Sequence, residues 1–248
     1  MSFLPRIFLP HSPQPGEILS LDSPLSHYLV QVLRLAEKAP LIGFDEPGAE
    51  YELALESADP NQARVKVQRK SKAAPSRTFH LTLGQGLPKG AKMDLILRQG
   101  TEAGIHQFIP ILTERSVSRP EPSQWPHKEE RWRKILVEAC RQCGRNDVPR
   151  LGPLVEWKAL LKLFSDYDLV LLPYEKEAPL LRSVLESKAD SRKILALIGP
   201  EGGWSREEVE QAQAHGAYPV HLPVPILRTE TAGIVTASMI QFSKIQSS

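Results

Sequence analysis

Two short stretches near the C-terminal end of the chain carry residue types that suit ligand binding. The first is rich in glycine and reads Gly199-Pro200-Glu201-Gly202-Gly203. The second places a cation beside hydroxyl and acidic residues and reads Arg228-Thr229-Glu230-Thr231. Glycine lets a backbone approach a ligand closely, and an arginine guanidinium suits a carboxylate or a phosphate. The two stretches therefore indicate a binding site made of backbone groups and a fixed positive charge.

Both stretches lie between a strand pattern and a helix pattern. The first follows the apolar residues 194–198 and precedes Ser205 and Glu208, which have the spacing of a capping box. The second follows a strand pattern over residues 218–222 and opens the last helix, which Thr229 or Thr231 can cap. Ligands of α/β proteins usually bind where such strands end, so we expect the site at this edge of a sheet.

The glycine-rich loop differs from the common nucleotide loops. It lacks the Gly-Lys-Ser/Thr ending that holds a nucleoside triphosphate, and it is not Gly-x-Gly-x-x-Gly. The residues alone leave two roles open for each charged side chain. Glu201 either takes part in chemistry or shapes its loop, and Glu230 either accepts a proton or caps backbone. Arg228 either binds a ligand or lies in solvent.

The composition is typical of a globular protein. Of 248 residues, 41% are hydrophobic and 24% are charged, with a net charge of +2. No apolar run approaches the roughly 20 residues that span a bilayer, and residues 1–10 lack the pattern of a secretion signal. Two cysteines without a secretion signal fit a reducing compartment. We therefore expect a cytoplasmic protein that does not contact a membrane.

Cys140 and Cys143 have the Cys-x-x-Cys spacing of redox and metal sites. They end a stretch in which Trp132, Leu136 and other apolar residues recur at helical spacing. No second cysteine pair completes a tetrahedral zinc site. We interpret both cysteines as helix residues and predict no metal site.

The first 72 residues read as short strands joined by turns. Strands are expected over residues 6–9, 41–45, 51–55 and 63–68, and one helix over residues 26–35. This pattern is typical of a small β-barrel or sandwich. The polar segment 71–76 predicts a boundary that gives domains 1–72 and 73–248. Residues 64–77 hold six basic and no acidic residues, which indicates either a local basic surface or a solvated linker.

From residue 73 onward, predicted strands and helices alternate. Strands are expected over 78–84, 108–112, 167–172, 194–198 and 217–222. Helices are expected over 89–103, 125–143, 205–215 and 231–245, and a flexible surface loop over 118–126. Such alternation predicts an α/β domain with a mostly parallel sheet covered on both faces.

Several blocks together resemble one known family. The two loops are accompanied, in order, by Leu87-Pro88-Lys89-Gly90, by Thr113-Glu114-Arg115-Ser116 and by Gln142 with Gly144-Arg145. With Arg6-Ile7-Phe8 near the N-terminus, these blocks resemble the RsmE family of ribosomal RNA methyltransferases within the SPOUT superfamily. The resemblance spans nearly the whole chain.

The resemblance implies a fold and an activity. It implies an N-terminal PUA-like β-barrel that binds RNA and a C-terminal SPOUT α/β domain with a trefoil knot, a feature that is rare among proteins. It implies a homodimer that uses S-adenosylmethionine to methylate N3 of a uridine in 16S ribosomal RNA, either free or within the assembled 30S subunit. The site residues that it implies fall into three sets.

The catalytic set is Arg228, Glu201 and Glu230. The cofactor-binding set is Leu172, Pro173, Gly199, Pro200, Glu201, Gly202, Gly203, Leu222, Pro223, Ile226, Leu227 and Thr229. The RNA-binding set is Arg6, Arg34, Lys89, Lys92, Arg115, Arg119 and Arg145. Arg228 would hold phosphate or stabilise negative charge on the uracil carbonyls.

The chain departs from the family pattern in the loop before Arg228. Pro223 stands where the family has glycine and Pro225 where it has arginine, and each proline removes a backbone N–H donor. Two other functions therefore remain: a SPOUT methyltransferase acting on transfer RNA, and a non-catalytic RNA-binding protein that has lost its cofactor.

Overall fold

The computed structural model describes residues 4–73 and 78–246. The chain divides into two compact units. Met1–Ser76 and Cys140–Val148 form the first, and Arg77–Ala139 and Pro149–Ser248 form the second. The sequence-based domain division at residue 72 stays a prediction, and part of the predicted joint, residues 74–76, lies outside the described residues.

The first unit contains one mostly antiparallel sheet. Within residues 4–73 its strands are β1 (Arg6–Leu9), β2 (Ile18–Ser20), β3 (Pro40–Asp45), β4 (Glu50–Ser57) and β5 (Arg64–Lys72). They lie in the order β1-β3-β4-β5-β2, and only β1 and β3 pair in parallel. The basic stretch predicted as surface or linker is largely strand β5, in which Lys72 and Arg69 pair with Glu50 and Glu52.

The helix predicted over residues 26–35 is wrong in its bounds and type. Helix α1 (Ser23–His27) begins after Asp22, whose carboxylate accepts the Leu25 N–H at 2.9 Å, and it continues as a π-helical segment, Tyr28–Val32. The Asp22 cap starts the helix earlier than the apolar spacing indicates. Leu29 and the alternating apolar residues of β3, β4 and β5 form the core of this unit.

The second unit contains a parallel sheet. Its strands in the described residues are β6 (His80–Gly86), β7 (Gln107–Leu112), β8 (Arg150–Leu151), β9 (Val155–Glu156), β10 (Leu169–Pro173), β11 (Lys193–Ile198) and β12 (Tyr218–Val220). Their order is β12-β10-β11-β6-β7-β8, with β9 also paired to β7, and each recorded pair is parallel. This confirms the predicted α/β class with a parallel sheet.

Helices connect these strands. They are α2 (Lys92–Glu102), α3 (Trp125–Cys143), α4 (Trp157–Lys162), α5 (Leu181–Ser187), α6 (Arg206–Ala214) and α7 (Thr229–Gln246). The apolar spacing of the sequence did not predict α4 and α5, because both helices are too short to show a repeating apolar face. Part of the loop predicted over 118–126 is instead a 3₁₀ turn, Pro122–Gln124, followed by α3.

The strands of this sheet are buried on both faces. Leu169, Ile194 and Leu195 are at most 1% exposed, as expected for a parallel sheet between helices. Helix α7 packs closely on β6, since a Cβ added at Gly233 would lie 3.1 Å from a methyl carbon of Leu83. Among the described residues, no helix combines the length and apolar character needed to cross a membrane.

Candidate functional site

Three neighbouring strands, β12, β10 and β11, end at the same edge of the parallel sheet. Pro173 ends β10 beside Val220 of β12, and Ile198 ends β11 beside Gln85 of β6. Because all these strands run in the same direction, the segments that follow them meet at one edge. These segments contain both of the stretches that the sequence singled out.

A cleft of about 570 Å³, the main cleft, opens at this edge. Its walls are Ile198 to Trp204, Ile226 to Glu230, and Lys92, Pro173, Glu175 and Ala232. A smaller cleft of about 130 Å³, the side cleft, shares Pro173, Glu175, Ile226, Leu227 and Ala232 with it and adds Tyr174, His221, Leu222, Val224 and Pro225. The volume of the main cleft lies in the range of small-molecule sites.

The glycine-rich loop forms a tight turn in the wall of the main cleft. The Gly203 N–H donates to the Pro200 carbonyl oxygen at 2.9 Å, and Gly203 has a φ of 66°, which favours glycine. A Cβ added at Gly199 would lie 3.1 Å from the Gly203 carbonyl carbon. The two glycines therefore keep the loop compact and leave its backbone as the lining of the cleft.

A hydrogen-bond network joins this loop to helix α7 and strand β6. The Thr229 hydroxyl donates to the Gly199 carbonyl oxygen at 2.6 Å. The Gln85 amide nitrogen donates to that hydroxyl and to the Gly86 carbonyl oxygen, both at 2.9 Å. Gln85 is fully buried. Thr229 therefore joins the start of α7 to the glycine-rich loop. Its hydroxyl does not cap the helix, so the prediction of a cap at Thr229 is wrong.

Three charged side chains from separate segments meet in the main cleft. Lys92 Nζ, at the start of α2, lies 2.8 Å from Glu201 Oε1 and 3.4 Å from Glu230 Oε2. The Glu201 carboxylate also accepts the Lys89 N–H at 3.1 Å. Burial raises the pKa of Glu201, but the Lys92 ammonium and the backbone N–H donors outweigh it, so the pKa lies below its usual value. Glu201 is thus an ionised carboxylate in the loop wall.

Arg228 precedes α7 and lines the main cleft as an exposed residue. Its carbonyl oxygen accepts the first N–H groups of the helix, from Thr231 and Ala232, at 2.9 and 2.8 Å. The backbone of Arg228 is therefore fixed by the helix, while the residue stays exposed in the cleft wall. Glu175 is the other charged residue, besides Lys92, Glu201 and Glu230, that lines it.

The structure brings most of the predicted cofactor-binding residues together. Pro173, the five residues from Gly199 to Gly203, Leu222, Ile226, Leu227 and Thr229 line one or both clefts. Leu172 does not: its side chain is fully buried in the core of the unit. Pro223 is exposed and lies outside both linings. The clefts thus unite ten of the twelve predicted positions, and whether they bind a cofactor stays a prediction.

Apart from Lys92, whose ion pairs lie in the main cleft, the predicted RNA-binding residues fall into two groups. Arg34, Lys89, Arg115 and Arg119 are exposed, and Arg115 Nη1 donates to the Gly202 carbonyl oxygen at 2.9 Å beside the main cleft. Arg6 pairs with Glu50 at 3.2 Å and Arg145 with Asp147 at 2.6 Å, and both side chains are mostly buried. These two ion pairs within the first unit favour a structural role, and RNA binding by all seven residues stays a prediction.

Sequence reasoning missed residues that shape the site. Gln85 is central to the hydrogen-bond network, and Glu175 and Trp204 line the main cleft. Gln85 interrupts an otherwise apolar strand pattern, and a polar residue at a buried strand position is a signal that could have found it. Glu175 and Trp204 carry no comparable signal because their positions depend on the fold of the loops.

Comparison with known proteins assigns the family. A family model described as an RNA methyltransferase domain matches residues 75–241. Ribosomal RNA small subunit methyltransferase E of Bacillus subtilis is 32% identical, with 87% of this chain and 86% of that protein covered. The enzyme of that name from Neisseria gonorrhoeae, solved with S-adenosyl methionine bound, is 27% identical with a TM-score of 0.87, covering 97% of this chain and 98% of that one.

A methyltransferase from Legionella pneumophila, solved in complex with the cofactor SAM, has a TM-score of 0.89 at 27% identity and covers 97% of this chain and 98% of that one. The family model covers more than half of this chain, and the similarity to the Bacillus protein extends over both compact units. The chain therefore belongs to the RNA methyltransferase family, among the ribosomal RNA small subunit methyltransferase E proteins.

Proposed function

We propose that this protein is a methyltransferase that transfers a methyl group from S-adenosylmethionine to N3 of a specific uridine in 16S ribosomal RNA. The observation that carries this proposal is the main cleft, which unites the glycine-rich loop with Arg228 and Glu230 at the carboxyl edge of a parallel sheet. The family relationship indicates methyl transfer to RNA, and the cleft is large enough to bind the methyl donor.

The cleft fits the methyl donor. Its volume of about 570 Å³ suits a nucleoside-sized ligand. The backbone at Gly199 and Gly202 approaches its neighbours so closely that an added Cβ would lie 3.1 and 3.0 Å from them. Side chains at these positions would therefore compete with loop packing. The residues that would hold the donor are Pro173, Gly199 to Gly203, Leu222, Ile226 and Leu227.

S-adenosylmethionine supplies a methyl group on a positively charged sulfur, which is a good leaving group. The protein mainly has to align the uridine nitrogen with that methyl group and to accept the N3 proton. Arg228 at the cleft opening would stabilise negative charge on the uracil carbonyls. Because Pro223 and Pro225 have no N–H, backbone donors in that loop would come from Ile226 and Leu227.

RNA would bind beside the cleft. Exposed Lys89, Arg115 and Arg119 lie on segments that contact the glycine-rich loop: the Lys89 N–H bonds Glu201 and the Arg115 guanidinium bonds Gly202. Such cations bind phosphates without reading sequence. In the first unit, Arg34 is exposed and would contact RNA phosphates independently. We assign the five-stranded sheet of that unit the role of a PUA-like RNA-binding barrel.

The same proposal includes the finer family features. We assign the second unit a trefoil knot, the protein a homodimeric state and a cytoplasmic location, and we take the RNA or the assembled 30S subunit as substrate. Leu95 of α2 and Phe242 of α7 are 37% and 66% exposed on two helices that pack together. Exposed apolar side chains on two neighbouring helices support a dimer contact there.

Two measurements test the proposal. Calorimetric titration with S-adenosylmethionine should give saturable binding, whereas a well-folded protein that binds none would favour a non-catalytic RNA-binding protein. Mass mapping of ribosomal RNA from cells that lack the gene should show the loss of a single methyl group on one small-subunit uridine. Unchanged ribosomal RNA together with an unmethylated transfer RNA would favour the transfer RNA alternative.

A further inference from the structure

The ion-paired group of Lys92, Glu201 and Glu230 is not symmetric. A single ammonium lies between two carboxylates, 2.8 Å from Glu201 Oε1 and 3.4 Å from Glu230 Oε2. Two carboxylates near one another repel when both are ionised, and a cation between them removes that repulsion. The two distances indicate that Lys92 pairs mainly with Glu201.

Glu201 is fully engaged by its neighbours. Its carboxylate receives the Lys92 ammonium and the Lys89 N–H, the latter at 3.1 Å to Oε1 and 3.4 Å to Oε2. Hydrogen bonds to the ionised form favour that form, and the pKa of Glu201 is indeed lowered. A carboxylate held in this way is a weak base, so Glu201 suits a structural role in the loop.

Glu230 has the opposite character. Its Oε2 atom is buried, and no described residue forms a hydrogen bond with it. The Lys92 ammonium is its ion-pair partner, but at 3.4 Å it lies farther from this atom than from Glu201 Oε1, which it approaches to 2.8 Å. The residue lines the main cleft with 14% of its side chain exposed. A buried acceptor without a hydrogen bond is unusual in proteins, and here it is next to the proposed reaction site.

Lys92 itself is poorly placed to hold a phosphate. Its ammonium is already shared by two carboxylates, and the hydrogen bond that it donates to Glu201 is the main cause of its raised pKa. Lys92 is 36% exposed in its side chain and is the first residue of α2. This position differs from that of Lys89, whose side chain is exposed and whose backbone supports the loop.

We propose that Lys92 is a positioning residue. Its ammonium holds Glu201 in the loop wall, and the Glu230 carboxylate accepts the N3 proton of the substrate. This inference rests on the proposed function. In the reaction the N3–H bond breaks and the proton passes to the Glu230 carboxylate. The nitrogen electron pair forms the new bond to the methyl carbon, and the electrons of the broken carbon–sulfur bond stay on sulfur, which becomes a neutral thioether.

The first test compares Lys92→Met and Lys92→Arg with Lys134→Met. Lys134 is an exposed lysine of α3 that pairs only with Glu130 in the recorded ion pairs, so its variant reports generic loss of charge. We expect Lys92→Met to lower kcat at least tenfold, with the KM for RNA and the RNA affinity within twofold of wild type. Lys92→Arg should restore most of kcat, and Lys134→Met should match wild type.

RNA affinity measured at several salt concentrations separates positioning from phosphate binding. The dependence of log affinity on log salt should be unchanged in Lys92→Met, because no phosphate contact is lost. A slope reduced by about 0.7–0.9, the value for one phosphate contact, with kcat preserved would overturn the proposal. So would a kcat of Lys92→Met equal to that of wild type.

A second pair of variants tests the roles of the carboxylates directly. Glu230→Gln should lower kcat at least 100-fold while calorimetry shows affinity for S-adenosylmethionine within twofold of wild type. Glu201→Gln should mainly weaken that affinity. The reverse pattern would overturn the proposal. If Lys92→Met melts well below wild type, its lower kcat is not informative, and the two glutamate variants test the proposal. If wild type neither binds S-adenosylmethionine nor methylates RNA, the proposed function is wrong. If wild type is active, the variants test only the roles given to Lys92, Glu201 and Glu230.

Discussion

The side chain of Thr229 and the main chain of Gly199 are joined by a hydrogen bond of 2.6 Å across 30 residues of sequence. The bond connects the first residue of α7 to the start of the glycine-rich loop. Gln85 donates to the same hydroxyl, so the threonine oxygen both gives and receives a hydrogen bond. The shape of the cleft wall therefore depends on one hydroxyl group, which mutation can remove without changing side-chain volume.

Replacing Thr229 with valine should destabilise the protein and weaken donor binding. The change removes the acceptor of one buried Gln85 N–H and the 2.6 Å donor of the Gly199 carbonyl oxygen, which keeps only a 3.5 Å bond from Gln85. The loss costs about 1–3 kcal/mol. Urea denaturation measures the free energy of unfolding, and calorimetry measures binding of S-adenosylmethionine. Thr229→Ser keeps the hydroxyl and serves as the control. Equal stability and affinity in the valine and serine variants would contradict the role given to this bond.

Arg228→Ala should reduce turnover without loss of folding. Arg228 is an exposed residue of the cleft wall. Removal of a charge that stabilises the transition state lowers kcat about 100-fold or more. An exposed substitution changes the free energy of unfolding by no more than about 0.5 kcal/mol. Turnover assays and urea denaturation check both statements, with Arg228→Lys as the control that retains charge. Turnover within twofold of wild type would show that the residue is not needed.

Glu208→Ala should be among the more destabilising changes on α6. The Glu208 carboxylate is 3% exposed and accepts the Ser205 N–H at 2.9 Å and the Glu114 N–H at 2.8 Å. Its loss removes one half of the capping box and leaves two N–H groups without acceptors, at a cost of about 3 kcal/mol in the free energy of unfolding. The neighbouring exposed Glu207→Ala provides the control, and equal effects of the two changes would refute this account.

Low pH should lower the free energy of unfolding through protonation of Asp168. Its Oδ2 accepts the backbone N–H groups of Lys193 at 2.7 Å and Arg192 at 2.8 Å, and these two bonds hold its pKa below the ordinary value of 3.8. A lowered folded-state pKa means that the stabilisation is complete above 3.8 and disappears as pH falls through the lower folded value. The free energy of unfolding of Asp168→Asn should therefore lie below that of wild type at pH 7, and the gap should narrow below pH 4. A gap independent of pH would contradict this.

Local patterns predicted the elements that carry their own signal. Helix α3 has the predicted bounds, Trp125–Cys143, because apolar residues recur along it at helical spacing. The capping box of Ser205 and Glu208 is present as predicted, since both partners lie within one turn. The strands that lead into the two loops were also predicted, and β11 shows the reason, because a buried parallel strand is a continuous apolar run.

Other features depend on contacts between distant residues, which local patterns cannot show. The Thr229 hydroxyl bonds Gly199 rather than its own helix because β6 brings Gln85 beside it. Lys92 was expected to bind RNA from its position in a family block, but the fold places it between Glu201 and Glu230. In both cases the partner of the side chain is set by the fold, and the functional role of each residue stays a prediction.

Residues 140–148, which comprise the last turn of the long helix α3 and the segment after it, belong to the first compact unit. Within that unit the Arg141 guanidinium stacks 4.5 Å above the Tyr28 ring, and Arg6 bonds Asn146 across 140 residues of sequence. During synthesis, the N-terminal strands therefore emerge from the ribosome long before the segment that completes them. The first unit reaches its final form only after more than half of the chain has been translated, so the order of synthesis and the order of assembly differ.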